Sequence, residues 1–300
     1  MKNKRIESLE KVATPRKFPD GAAYRSISMA GTSQLALELG VSAREIDISA
    51  LDRDIVPERY ARNMKSFTTR DQKTLLESCV TVVGNGGLGG TVAETLARIG
   101  VGSLILIDGD SFEESNLNRQ LFSTEALIDQ PKAVAAADRI TSVNATIQVT
   151  HHCCNLEDGN AHKLIAGSDV TADCLDNLPT RFTLQKASQT AGIPMVSAAV
   201  GGHSGHLTTI FPEDRGLELI FGPPEEAVNL KGAEQSLGNL PFTVTTVAAL
   251  ECAEIVKIIL QKDLECEKNV KIILQKDSPL RNRLLIIDLN DYTFETLRLV

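Results

Sequence analysis

Four short segments of the 300-residue chain carry side chains that could do chemistry together: Gly84-Asn85-Gly86-Gly87-Leu88-Gly89, Ser115-Asn116-Leu117-Asn118-Arg119-Gln120, Gln130-Pro131-Lys132 and Asp173-Cys174-Leu175-Asp176-Asn177. The glycine loop follows the apolar run Val80–Val83 and opens a helical pattern. Its glycines let backbone approach a phosphate, and a helix N-terminus adds positive potential. Asp108 stands 24 residues after Gly84, at the end of the next apolar run, where a ribose-binding carboxylate belongs. To this point a dinucleotide enzyme and an ATP enzyme look alike. Arg119 and Lys132 separate them, the first as a planar fork for phosphate oxygens and the second as a point charge. Asn116 adds a neutral donor. Asp176 falls just past the C-terminal edge of an expected parallel strand, where such sheets hold their ligands, and a carboxylate there suits Mg²⁺. Singly, Arg119 and Lys132 read equally well as solvated charges and Asp176 as a helix cap. In order behind a phosphate loop, they make an inventory for a nucleoside triphosphate and its metal, and hydride transfer would leave them unused.

Composition sets the frame. The chain is 42% hydrophobic and 23% charged, enough to bury one core plus a small appendage. No apolar run approaches the roughly 18 residues of a membrane span. The start, Met1-Lys2-Asn3-Lys4-Arg5, leads into Ile6-Glu7-Ser8-Leu9-Glu10, which is no signal-peptide core, so a cytoplasmic location without a membrane partner is expected. A net charge of −8 argues against a nucleic-acid partner. The six cysteines, at 79, 153, 154, 174, 252 and 266, form no Cys-x-x-Cys pair, so no structural zinc is expected. The run His151-His152-Cys153-Cys154 invites a metal, but successive strand residues point to opposite faces and do not converge on one ion.

These segments need elements to position them. Residues 1–56 are polar and interrupted by Pro15, Pro19, Gly21 and Gly31. Ser33–Leu39 reads as a short helix ended by Gly40, and Ser42 with Glu45 as the capping box of a second. The pair resembles a helix-turn-helix, but Glu45, Asp47 and Asp52 would repel phosphate. A helical N-terminal arm, packed on the main domain or on a second subunit, is the expectation. Residues 57–300 form the second unit. There, strands at Val80–Val83, Ser103–Ile107, Thr146–Thr150, Val170–Cys174, Met195–Ala199 and His206–Phe211 alternate with helices at Thr91–Ile99, Lys132–Val143, Ala161–Ile165 and Arg181–Thr190. That order predicts the α/β class: a doubly wound, mostly parallel Rossmann-like sheet with helices on both faces. Two C-terminal antiparallel strands, Leu284–Asp288 and Phe294–Leu299, close it. Residues 212–240, with four prolines nearby, read as a long crossover loop. Leu250–Asp263 is repeated at once as Leu264–Asp277, with mismatches only at 253/267, 254/268 and 255/269, a tandem duplication on an expected helix.

With Arg59-Tyr60-Ala61-Arg62 and Asp108-Gly109-Asp110 added to the four segments, the chain resembles the ThiF/MoeB/HesA adenylyltransferases of thiamine and molybdopterin synthesis, kin to the ubiquitin-activating enzymes, over about residues 57–300. The resemblance implies ATP and Mg²⁺ as cofactors. It places the nucleotide against Gly84, Gly86, Gly87, Leu88, Gly89, Asp108, Asp110, Gln120 and Asn177, with Asp108 on the ribose. Asn116, Arg119 and Lys132 would hold the phosphates and Asp176 the Mg²⁺. Arg62 would reach across a homodimer to the partner's ATP, joining Arg119, Lys132 and Asp176 as catalytic residues. The implied reaction adenylates the C-terminal glycine carboxylate of a ubiquitin-like sulfur-carrier protein ending in Gly-Gly and releases pyrophosphate. A carboxylate is already nucleophilic near neutral pH, so catalysis would consist of positioning and charge stabilisation. The chain departs from the family pattern in lacking two Cys-x-x-Cys pairs, in having no cysteine between Cys174 and Cys252 for a covalent relay, and in carrying Asn63 where glutamine is common. Two alternatives use the same nucleotide site. One is activation of a small molecule or a tRNA base, as in threonylcarbamoyladenosine dehydratases; the other is a non-catalytic nucleotide-binding scaffold. Net acidity and the wording of residues 115–120 favour the carrier branch.

Overall fold

The computed structural model describes residues 2–227, 234–266 and 280–299. Its first part holds α1 (Lys2–Val12), β1 (Thr14–Lys17), β2 (Ala23–Ile27), α2 (Met29–Leu39), α3 (Ala43–Leu51) and β3 (Ile55–Pro57). The two expected helices are present, the first beginning four residues early at Met29, where Ser28 caps it through the Gly31 N–H. Gly40 closes α2 at φ 64°, and the Ser42–Glu45 capping box opens α3. The helices are not alone, however: β1 pairs antiparallel with β2, and β2 parallel with β3. A three-stranded sheet thus accompanies the helices of the expected helical arm, an element the sequence reading did not place. All four residues of β1 are exposed, so the strand lacks the alternation that reveals strands in a sequence. Leu9, Ile27, Leu35, Ile46, Ala50 and Ile55 form a separate small core beneath it. Asp47 is buried within α3 and accepts a hydrogen bond from the Thr32 hydroxyl at 2.9 Å. Burial raises its pKa to about 6. Arg44 ties this region to the main sheet, donating to the Gly102 carbonyl at 2.9 Å and to Ser103 Oγ at 2.7 Å.

After α4 (Thr69–Glu77) the chain alternates as expected: β4 (Cys79–Val83), α5 (Gly87–Ile99), β5 (Ser103–Ile107), α6 (Lys132–Val143), β6 (Gln148–His152), α7 (Ala161–Leu164), β7 (Val170–Asp173), α8 (Leu178–Ala191), β8 (Met195–Gly201) and β9 (Ser204–Ile210). The short α9 (Glu218–Phe221), α10 (Pro224–Ala227) and α11 (Glu234–Leu237) follow, then α12 (Pro241–Cys266), β10 (Arg283–Asp288) and β11 (Thr293–Arg298). The eight-stranded sheet runs β6-β5-β4-β7-β8-β9-β10-β11. Pairing is parallel from β6 to β8 and antiparallel from β8 to β11. Strand order reverses between β4 and β7, and ligands of such sheets bind at that point, outside the strand ends.

Most elements fall where the sequence puts them. The third parallel strand is displaced, to Gln148–His152, because Thr146 donates to Asn144 Oδ1 at 2.7 Å and stays in the turn. The segment 212–240 is not wholly loop, since it contains α9 to α11. α12 starts at Pro241, nine residues before the periodic stretch at Leu250. Its first turns are rich in threonine and valine, poor helix formers. Burial of Val244, Val247 and Ala248 outweighs that preference, and the Thr245 and Thr246 hydroxyls donate to the carbonyls of Pro241 and Phe242, four residues back. α12 continues past Asp263 to Cys266. Residues 267–277 of the repeat lie outside the described residues.

Candidate nucleotide site

The site begins where β4 ends. Gly84 takes φ 87°, and a β-carbon there would stand 2.6 Å from the Cys174 carbonyl oxygen. The loops after β4 and β7 therefore touch only because position 84 is glycine. Gly89, in the first turn of α5, meets the same constraint from within, since its β-carbon would fall 1.7 Å from the Gly84 carbonyl oxygen. This glycine sets how closely α5 approaches the loop and does not line the cavity. The Asp108 carboxylate locks the geometry: Oδ2 accepts the Asn85 N–H at 2.6 Å and Oδ1 the Asp110 N–H at 2.8 Å. Burial pushes its pKa up, and the two N–H donors pull it back. The Asn85 side chain is fully buried, and neither amide atom is hydrogen-bonded to a described residue.

Lys132 is the first residue of α6 and is nearly buried, its Nζ 2.9 Å from Asp110 Oδ2. Arg119 is half-buried and donates from Nη1 to the Ser115 carbonyl at 3.1 Å and to Asn118 Oδ1 at 2.9 Å. Gln120 is buried against Gly86. Across the switch point, Asp176 is exposed at the end of β7. Asn177 caps α8 through the Thr180 N–H at 3.0 Å and donates to Asp176 Oδ1 at 3.3 Å.

One cavity of about 890 Å³ joins these groups. Its wall includes Gly84, Gly86, Gly87, Leu88, Asp108, Asp110, Arg119, Gln120, Lys132, Asp176 and Asn177. Three expected site residues stand outside the wall. Gly89 packs inward. Asn116 is buried under its own turn, where its Oδ1 accepts the Glu113 N–H at 3.1 Å, so it shapes the Arg119 segment. Arg62 is exposed and does not line the cavity of its own chain.

Sequence reasoning missed the groups that hold the Asp176 loop. Arg181 is buried; its Nε donates to the Leu175 carbonyl at 3.0 Å and its Nη2 to the Ala198 carbonyl at 2.7 Å. It also lies 3.5 Å from Asp173, which accepts from Ser197 Oγ at 2.6 Å. A cation in the first turn of a helix opposes the helix dipole, and that was the available signal. Beneath, Glu251 of α12 is buried with Cys174 Sγ 3.5 Å from its carboxyl. Burial and the neighbouring Asp173 push the Glu251 pKa far up, and burial does the same to the Cys174 thiol. Cys174 is thus a protonated wall residue and no nucleophile.

The far end of the cavity is built by the antiparallel strands. Ala199, His206 and Ile286 sit side by side in register, flanked by Gly201 and Ser204 on one side and Leu284 on the other. The opposite face of these strands, with Leu207 and Ile287, packs into the core under α12. Among the described residues no cluster of three or more His, Cys, Asp or Glu could hold a metal by itself, and no helix is long and apolar enough to cross a membrane.

Comparison with known proteins agrees with this architecture. The ThiF family model matches residues 60–300. The SAMP-activating enzyme E1 of Haloferax volcanii is 34% identical over 243 residues, covering 80% of this chain and 84% of that protein. The adenylyltransferase and sulfurtransferase MOCS3 of Arabidopsis thaliana is 33% identical across 86% of this chain, which spans only 56% of MOCS3. The molybdopterin-synthase adenylyltransferase of Escherichia coli is 33% identical over 67% of the chain and 81% of its own length. Among solved structures, E. coli MccB with ATP superposes with a TM-score of 0.65 over 90% of this chain and 79% of MccB, at 19% identity, a likeness of fold. By a family model spanning four fifths of its length, and by relatives a third identical that are named adenylyltransferases, the chain belongs to the ThiF family.

Proposed function

We propose that the chain uses ATP to adenylate the C-terminal glycine carboxylate of a ubiquitin-like sulfur-carrier protein, releasing pyrophosphate. One observation carries this most directly: a single cavity runs from the phosphate loop, past Lys132, Arg119 and Asp176, to the small residues Ala199 and Gly201. A nucleotide alone would occupy the first half. The second half suits an extended tail without bulky side chains. The names of the relatives, among them a SAMP-activating enzyme and a molybdopterin-synthase adenylyltransferase, support the same substrate class.

The roles follow from charge and place. The N–H groups of the glycine loop and the N-terminus of α5 face the phosphates. Asp108, fixed by two backbone donors, offers its remaining lone pairs to the ribose. Lys132 exchanges Asp110 for a phosphate oxygen, and Arg119 exchanges its two local acceptors. Asp176 fits Mg²⁺, because that ion is usually held by one or two carboxylates together with substrate phosphates, and the site offers one exposed carboxylate beside a phosphate loop. When bound, the ion would neutralise charge on the departing pyrophosphate. No general base is required, since the attacking carboxylate is ionised at neutral pH. The test is ATP–pyrophosphate exchange with and without a carrier ending in Gly-Gly. Carrier-dependent exchange supports the proposal. Exchange driven instead by a free small molecule or an RNA would replace it.

A further inference from the structure

We propose that His206 is a positioning residue for the substrate tail, its imidazole hydrogen-bonded to a main-chain amide of the acyl donor beside the reacting carboxylate. The inference rests on the adenylation reading above and adds a residue-level account of how the tail is held.

The observation is an unmatched polar group. Of the side chains that β8, β9 and β10 turn toward the cavity, Ala199, Leu284 and Ile286 are apolar and Gly201 has none. Ser204 gives its hydroxyl to Asp288 Oδ2 at 3.2 Å. His206 is half-buried, yet among the described residues its ring makes no hydrogen bond, only a tilted contact with Phe221 at 5.8 Å between centroids. Burial, and secondarily the Arg181 cation, hold its pKa down at about 4, so the ring is neutral at ordinary pH. A neutral imidazole has one donor and one acceptor, the complement of a peptide group.

Its place says which peptide group. Ala199 and Ile286 flank it in register, so the ring stands in the middle of a three-strand row with a shallow slot on the β8 side. Arg181 links the row to the Asp176 loop, bonding the Ala198 carbonyl on one side and the Leu175 carbonyl on the other. A tail lying in the slot with its carboxylate near Asp176 loses water from its amide groups. Those groups need partners, because an unsatisfied buried amide is costly. His206 supplies one where the strands have none to spare.

The test uses the full chain, with a ubiquitin-like carrier ending in Gly-Gly as the probe. His206→Ala and His206→Phe are expected to raise the carrier KM in ATP–pyrophosphate exchange about five- to tenfold, the worth of one neutral hydrogen bond. The value of kcat, the Kd for ATP and the Tm should stay near wild type, the signature of lost uniform binding. His206→Gln, which keeps a donor and an acceptor, should recover most of the loss. An unchanged KM in the Ala and Phe variants overturns the assignment, as does a loss shared equally by Gln with a fall in ATP affinity or Tm. Wild-type protein without carrier-dependent exchange overturns the adenylation reading and this inference together. That outcome is distinct from failure of His206 alone, in which the wild type still responds to carrier.

Discussion

The phosphate-binding role proposed for Lys132 can be separated from a role in stability. Its ammonium is nearly buried, but its partner Asp110 is two-thirds exposed. Such a pair contributes no more than about 1 kcal/mol to folding. Removing a charge that meets developing phosphate charge typically costs ~10²–10³ in rate. Lys132→Ala and Arg119→Ala should therefore lose pyrophosphate exchange by about that factor while their melting temperatures move by only a few degrees. Normal exchange in either variant would contradict the role given to it. Which residues line the cavity was legible only in part. That Asp108, Lys132 and Asp176 would share a cavity wall was legible because each stands at a strand end or helix start, and Arg119 because it lies in the polar run 115–120 behind the phosphate loop. Arg181, Glu251 and His206 were not. Arg181 and Glu251 matter through burial and through partners far off in sequence, as with Cys174 and Glu251, 77 residues apart, and His206 through the cavity it faces.

At the scale of elements, most of the parallel strands and their helices were readable from short apolar runs whose length and flanking glycines mark strands buried on both faces. The first 57 residues were read less well. α2 and α3 carry explicit caps, whereas β1 is short, fully exposed and contains Pro15, and β3 has only three residues. The start of α12 was missed because its Thr-Val sequence contradicts its helical state. The N-terminal elements also contain a titratable strain point. Asp47 has a folded pKa of about 6 against an ordinary 3.8, because burial disfavours its charged form. The folded state thus holds the proton more tightly than the unfolded chain. Stability from this group is full below about pH 4, declines as pH rises to about 6, and is lost above, a total of about 3 kcal/mol. Asp47→Asn can still accept from Thr32 and has no charge to bury. Its stability advantage over wild type in urea unfolding should be near zero at pH 4 and grow to about that figure by pH 7. An advantage independent of pH would show that Asp47 is not the buried acid described.

The whole molecule raises a question of assembly. Arg62 is exposed and absent from the wall of its own cavity, although the family resemblance makes it catalytic. Both statements hold if the site is completed by a second copy of the chain. Arg62→Ala and Asp176→Asn proteins should each be inactive alone. Mixed and allowed to exchange subunits, they should regain up to about a quarter of wild-type activity, since in half of the mixed sites an intact Asp176 meets the partner's intact Arg62. Mixtures that stay inactive would place Arg62 in its own chain's site or outside catalysis.

On the proposed reading, the cavity from Gly84 to Gly201 joins ATP to a protein carboxylate. Exchange of labelled pyrophosphate into ATP by the purified full chain tests it most directly, with a ubiquitin-like carrier ending in Gly-Gly and the same carrier lacking those two residues as control. Mg²⁺-dependent exchange with the intact carrier and none with the truncated one is expected. Equal exchange with both carriers, or none with either, would contradict it.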